Sequence, residues 1–231
     1  MCTTNCRLQF KYGILVRGYN MKGKFITIEG TDGSGKSTQI ELLMRYLEDK
    51  GLDVVFTREP GGTGISEKIR EIILDINNKS MTGTTEALLY AAARSQHVEE
   101  KIIPAINSGK IVICDRFVDS SIAYQGAARG LGADMIMDIN SFALHSIMPD
   151  LTLFFDLSPE KGILRKINER ELDRLEAEKL EFHNKVYEGY KSLCRKYPER
   201  IKPINADRRV EEVYDDVKTI IDSLLKGKYY V

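Results

Sequence analysis

Short apolar runs alternate along this chain with longer stretches in which apolar residues recur every third or fourth position. The runs at 24–30 (KFITIEG), 53–60 (DVVFTREP), 110–116 (KIVICDR), 150–158 (DLTLFFDLS) and 200–206 (RIKPINA) are too short and too continuous for helices and predict strands. Between the first two, Ile40, Leu43, Met44 and Leu47 fall on one helical face, and Gly51 is the stop signal. Residues 64–75 and 83–107 predict helices, and two helical segments precede the fourth strand. Ser158-Pro159 predicts a helix start, because serine accepts from first-turn amides and proline suits the first helical position. A charge-dense helix pair follows, and Val210, Val213, Tyr214, Val217, Ile220, Ile221 and Leu224 mark a final helix. Apolar strands separated by helices predict a five-stranded parallel sheet covered on both faces, an α/β fold. Ligands of such sheets collect at the carboxyl ends of the strands. The turns after residues 29, 57, 115 and 157 should therefore surround one crevice.

Composition narrows the partners. Lysine plus arginine and aspartate plus glutamate number 34 each, so the formal charge is zero. That balance offers no general field for nucleic acid or an anionic membrane, and an anion site must be local. No apolar run approaches the length that spans a bilayer. Residues 1–20 carry Arg7, Lys11 and Arg17 and no acid, which fits a targeting peptide. The reading adopted is an upstream extension before a single domain over 21–231 that opens at Met21. Cys2, Cys6, Cys114 and Cys194 lack zinc-site spacing and predict free thiols in a cytoplasmic protein. His97, His145 and His183 are expected as surface or core residues.

The chemistry begins where the first strand ends. Residues 30–37, GTDGSGKS, match G-x-x-x-x-G-K-[ST] between a strand and a helix. Glycines let the backbone curl so that several N–H groups point at one anion, and the following helix adds its dipole. Lys36 is placed to reach β- and γ-phosphates, and the Ser37 hydroxyl to ligate Mg²⁺. A GTPase would offer N-K-x-D, but Asn78-Lys79 and Asn184-Lys185 both lack the aspartate. Two further cations sit at strand ends: Arg58 in TREPGGT (57–63) and Arg116 in CDRFVDSSIAYQGAARG (114–130). Asp115 suits a magnesium-bound water. The planar fork of Arg116 can bridge a donor and an acceptor phosphate. A hydrolase needs one phosphate locus; a nucleotide kinase needs two.

With TREPGGT, the DRF…S…AYQG run, YAAAR (90–94) and ELDRLE added to the phosphate loop, the chain from Met21 onward resembles the thymidylate kinase family. The resemblance implies a three-layer P-loop NTPase fold with a helical lid near 160–175, and ATP-dependent phosphorylation of dTMP to dTDP. Gly30, Thr31, Asp32, Gly33, Ser34, Gly35, Lys36, Ser37 and Thr38 would bind ATP. The dTMP set would be Asp32, Arg58, Tyr90, Arg94, Arg116, Ser121, Tyr124 and Gln125. In that set Tyr90 stacks on the base, Arg94 donates to thymine O4, Ser121 and Gln125 complete the base edge, and Tyr124 excludes a ribose hydroxyl. Mg²⁺ would sit by Ser37 and Asp115.

The family supplies one catalytic arginine either from the phosphate loop or from the lid. Gly33 at the loop position implies the lid type. Relatives often read R-x-R-G-E-L-D-R, whereas this chain has Asn168-Glu169-Arg170 before Glu171. Arg170 and Arg165 are the lid candidates beside Lys36 and Arg116, and Arg174 is expected to shape the lid. The resemblance also implies a homodimer through helices 83–107 and 131–146. The alternatives are another pyrimidine nucleotide kinase and a nucleotide-binding module that transfers nothing.

Overall fold

The computed structural model describes residues 23–166 and 173–226. The extension 1–20, Met21 and Arg170 lie outside the described residues. All five predicted strands form: β1 Lys24–Gly30, β2 Val54–Arg58, β3 Ile111–Asp115, β4 Leu151–Asp156 and β5 Ile201–Asn205. They pair in parallel in the order β2-β3-β1-β4-β5. The register sets Ile28 of β1 and Arg58 of β2 against Asp115, and Gly30 against Phe155. The carboxyl ends of the three central strands therefore share one rim. β5 tolerates Pro203 because it lies at the sheet edge.

Side chains alternate across β1, and the two faces differ in chemistry. Ile26 and Ile28 enter an apolar cluster with Ile40, Leu43 and Leu47 of α1 (Lys36–Asp49) and Val213, Val217 and Ile221 of α9 (Val210–Lys226). Each such fully buried side chain stabilises the fold by about 1.5–3 kcal/mol. The other face of β1 presents Phe25, Thr27 and Glu29, all buried. Thr27 meets Thr152 across the sheet at 2.8 Å. That face is covered by α3 (Gly83–His97), α5 (Val118–Ser121) and α8 (Leu180–Lys196) through two further clusters, which include Tyr124, Phe154, Tyr190 and Phe117.

Two helical stretches are wider than their sequence suggests. Residues 83–107 are continuous but contain a π-helical turn at Val98–Ile102 between α3 and α4 (Ile103–Asn107). Pro104 has no N–H to give to the preceding turn, which relaxes there. A second π-helical segment, Ile122–Ala128, follows α5 and carries Tyr124 and Gln125. The expected helix 131–146 is shorter: α6 spans Ala133–Asn140 and the chain then turns, with His145 and Ser146 at positive φ. The remaining helices are α2 (Gly64–Leu74) and α7 (Pro159–Lys166). No helix among the described residues is long and apolar enough to cross a membrane.

Candidate active site

The loop after β1 takes its shape from glycines at positions that other residues cannot fill. Gly33 (φ 74°) and Gly35 (φ 85°) occupy left-handed backbone. A Cβ at Gly33 would lie 2.1 Å from the carbonyl oxygen of Gly162 in α7, and one at Gly162 would lie 2.2 Å from that of Asp32. The loop thus packs backbone to backbone on α7. No arginine side chain fits at position 33 in this packing. Gly35 precedes α1 without any side-chain cap, so the first-turn amides of a 14-residue helix are left to a ligand. Lys36 folds back over the loop, its Nζ donating to the carbonyls of Gly30 (3.1 Å) and Thr31 (3.0 Å).

A cleft of about 450 Å³ opens at this rim. Asp32 through Thr38 line one wall; Arg58, Tyr90, Arg94, Asp115, Arg116, Tyr124, Gln125 and Arg165 line the rest. Three candidates lie behind the wall. Gly30 and Thr31 hold Lys36, and Ser121 Oγ accepts from Arg94 Nη2 at 3.1 Å. Arg165 reaches the Gly33 carbonyl (3.5 Å) and faces Asp207 at 3.7 Å. The other lid candidate, Arg170, lies outside the described residues.

Arg116 is held from two sides at the cleft wall. Its φ of 70° is unusual for a residue with a side chain, and turns the guanidinium from the end of β3 toward the phosphate loop. Nη2 donates to Asp32 at 2.9 Å and Nη1 to the Tyr190 hydroxyl at 3.2 Å. Glu29 anchors this turn from below. Its carboxylate accepts from the Phe117 N–H (2.7 Å), the Ser120 hydroxyl (2.6 Å) and the Tyr190 hydroxyl (2.8 Å). Burial, and then the Asp119 charge, push the Glu29 carboxyl up to about 7. Asp115 beside Arg116 has one carboxylate oxygen, Oδ1, that is buried without a hydrogen-bond partner among the described residues. Such an oxygen, in a cleft that Ser37 also lines, fits a hydrated divalent cation.

Tyr90, Arg94 and Gln125 also line the cleft. Tyr90 is half-buried at its wall, and burial pushes its phenol up. Arg94 is 1% exposed and fixed on three sides: Nε to Glu59 (2.8 Å), Nη1 to Asn140, and Nη2 to Ser121. Glu59 also meets His97 Nδ1 at 2.9 Å, and His97 Nε2 meets Thr57 at 2.6 Å. His97 is thus a core histidine in a buried relay. Gln125 is held by Nε2 to Glu86 at 2.8 Å, while its Oε1 is buried without a donor among the described residues.

Sequence reasoning missed Arg70, Glu59, Glu86, Asn140 and Tyr190. Arg70 lines the cleft beside Arg58, and both donate to the Pro60 carbonyl, at 2.9 and 3.1 Å. Its only sequence signal was a position on α2 just after TREPGGT. Asp173, in the ELDRLE run, also lines the cleft.

Comparison with known proteins places the chain in a family. The family model described as thymidylate kinase matches residues 28–217. A thymidylate kinase of Clostridium novyi is 55% identical over 199 residues, covering 85% of this chain and 97% of the relative. One from a Geobacillus species is 55% identical over 210 residues, covering 90% of this chain and all of the relative. The crystal structure of thymidylate kinase from Ehrlichia chaffeensis superposes with a TM-score of 0.71 at 32% identity, covering 87% of this chain and 98% of that one. A phosphate loop facing a second set of arginines, in a chain matched nearly end to end, leaves one assignment: the chain belongs to the thymidylate kinase family.

Proposed function

We propose that the cleft holds ATP on the phosphate loop and dTMP between Tyr90, Arg94 and Arg116, and passes the γ-phosphoryl to the 5′-phosphate of dTMP to give dTDP. The observation that carries this reading is Arg116, set between Asp32 of the phosphate loop and the acceptor side of the cleft. Arg58, with Arg70 beside it, holds the acceptor phosphate. The acceptor is already an oxyanion near neutral pH, so no strong general base is required. Catalysis is alignment of the two phosphates plus neutralisation of charge on the migrating group.

Lys36 and Arg116 supply fixed positive charge, and Arg165 or Arg170 adds a further charge from the lid. Ser37 and Asp115 would hold Mg²⁺, which when bound draws the phosphate oxygens together and neutralises part of their charge. Closure of the lid over the cleft excludes water that would otherwise hydrolyse ATP. The proposed compartment is the cytoplasm, in keeping with the free thiols of Cys114 and Cys194.

Base selection follows from donors and acceptors. Arg94 donates to the thymine O4, and the Gln125 carbonyl accepts from N3–H. Cytosine reverses both groups. Tyr124, 6% exposed and fixed between Tyr190 and Phe182, leaves no slack for a ribose 2′-hydroxyl. Steady-state rates with dTMP, dUMP, dCMP and UMP test this. The kcat/KM for dTMP should exceed that for dCMP by about 10³-fold or more, whereas dUMP, lacking one methyl, should fall only about 10–200-fold. Equal use of dCMP would refute the base assignment.

The proposed homodimer has a physical face. α2, α3 and α6 pack side by side and leave Ile72, Leu88 and Met135 exposed, with Phe142 88% exposed just beyond α6. Sedimentation should give the mass of two chains, and Phe142→Glu should shift it toward one. A single-chain mass for the unaltered protein would refute the dimer.

A further inference from the structure

We infer that Glu86 is a specificity-determining positioning residue, which fixes the orientation of the Gln125 amide and thereby decides which pyrimidine edge the cleft accepts. Glu86 lies on α3 and is fully buried, and Gln125 lies on the π-helical segment after α5. Glu86 Oε1 accepts from Gln125 Nε2 at 2.8 Å. Its Oε2 faces Arg174 Nη2 at 2.7 Å and accepts from Arg129 Nη2 at 3.2 Å. Arginine nitrogens are donors only, so they hold the carboxylate in its accepting role. The Gln125 group turned toward it must then be the NH₂, and the carbonyl must face the cleft. That carbonyl is the buried Oε1 with no partner among the described residues, and Gln125 lines the cleft. That orphaned acceptor and the guanidinium of Arg94 line the same cleft and together offer one acceptor and one donor to a base edge. Thymine and uracil present the complementary N3–H and O4, whereas cytosine presents a bare N3 and an N4 amino group.

Glu86 touches neither base nor phosphate; it acts through Gln125. The inference rests on the placement of the base edge against Gln125 proposed above. Glu86→Gln tests it sharply. The new amide has one oxygen. The shorter arginine approaches, Arg174 Nη2 at 2.7 Å and Arg129 Nη2 at 3.2 Å, are both to Oε2, and only Arg129 Nε reaches Oε1, at 3.4 Å, so the oxygen takes the Oε2 side. The NH₂ is left for Gln125, which must flip and turn a donor toward the base.

The experiment compares kcat/KM for dTMP and for 5-methyl-dCMP, which keeps the methyl group and changes only the N3 and C4 edge. The unaltered enzyme should prefer dTMP strongly. E86Q should shrink that preference by about 100-fold while the KM for ATP stays within about twofold, because one matched hydrogen bond becomes one mismatched. Arg129→Met is the control. It removes a partner of Glu86 but leaves the carboxylate on Gln125, so it should keep the full preference.

An unchanged preference in E86Q would overturn the role of Glu86. So would an equal loss in R129M, which would make the effect one of general loosening. If E86Q yields no folded protein, Glu86→Met decides, because it leaves nothing to orient the Gln125 amide: a reduced preference for dTMP supports the inference and a full preference overturns it. If the unaltered enzyme shows no preference at all, the placement of the base against Gln125 fails, and the inference fails with it.

Discussion

Replacing Lys36 by methionine should lower kcat about 10²–10³-fold while the protein still unfolds cooperatively near its original temperature. Methionine keeps the unbranched stem and loses the charge. The side chain is only 7% exposed, so the packing of its stem against the loop is retained. What disappears is the ammonium group held over the loop by the Gly30 and Thr31 carbonyls. A fixed charge aimed at a transferring phosphoryl group contributes about 2.7–4 kcal/mol to the barrier when removed singly. The two carbonyls each lose a donor, and the stability cost of that loss is read separately from the rate. Single-turnover chemistry with Mg·ATP and dTMP, followed beside thermal unfolding, separates the effects. A K36M enzyme within a few-fold of the original rate would remove Lys36 from the mechanism.

Arg116→Met should cost as much or more, about 10³-fold in kcat. This guanidinium reaches Asp32 on one side and Tyr190 on the other, and it is proposed above to lie between the two substrates. Its loss removes alignment as well as charge. Arg116→Lys should recover only part of the rate, because a point charge cannot keep both contacts that the planar fork makes. The KM for dTMP should rise in both variants, since the acceptor phosphate loses a direct partner. Equal rates for the arginine, lysine and methionine enzymes would show that Arg116 serves the fold alone. Its attachment to Glu29 through Tyr190 makes a thermal-unfolding control necessary in both variants.

How much of this was legible in the sequence depends on how local each feature is. Gly30 to Ser37 could be read outright, because a phosphate loop is made by consecutive backbone amides. Arg58, Asp115 and Arg116 could be read because strand ends of a parallel sheet converge, and the register of β1, β2 and β3 brings them to one rim. Arg70, Glu59, Glu86 and Asn140 could not. Their meaning lies in contacts across the fold: Arg94 finds Glu59 35 positions away and Asn140 46 away, and Gln125 finds Glu86 39 away. The π-helical turns were invisible too, since a few residues of altered period do not disturb the apolar pattern of a long helix. The contact of Gly33 with Gly162 gives a steric account of a glycine that in the sequence only implied the lid-arginine arrangement.

The most direct measurement is transfer of label from γ-labelled ATP with dTMP present and absent. The account predicts one label in dTDP for each ADP released, and very slow ADP release without dTMP. Label accumulating instead in inorganic phosphate, at a rate that dTMP does not change, would contradict it.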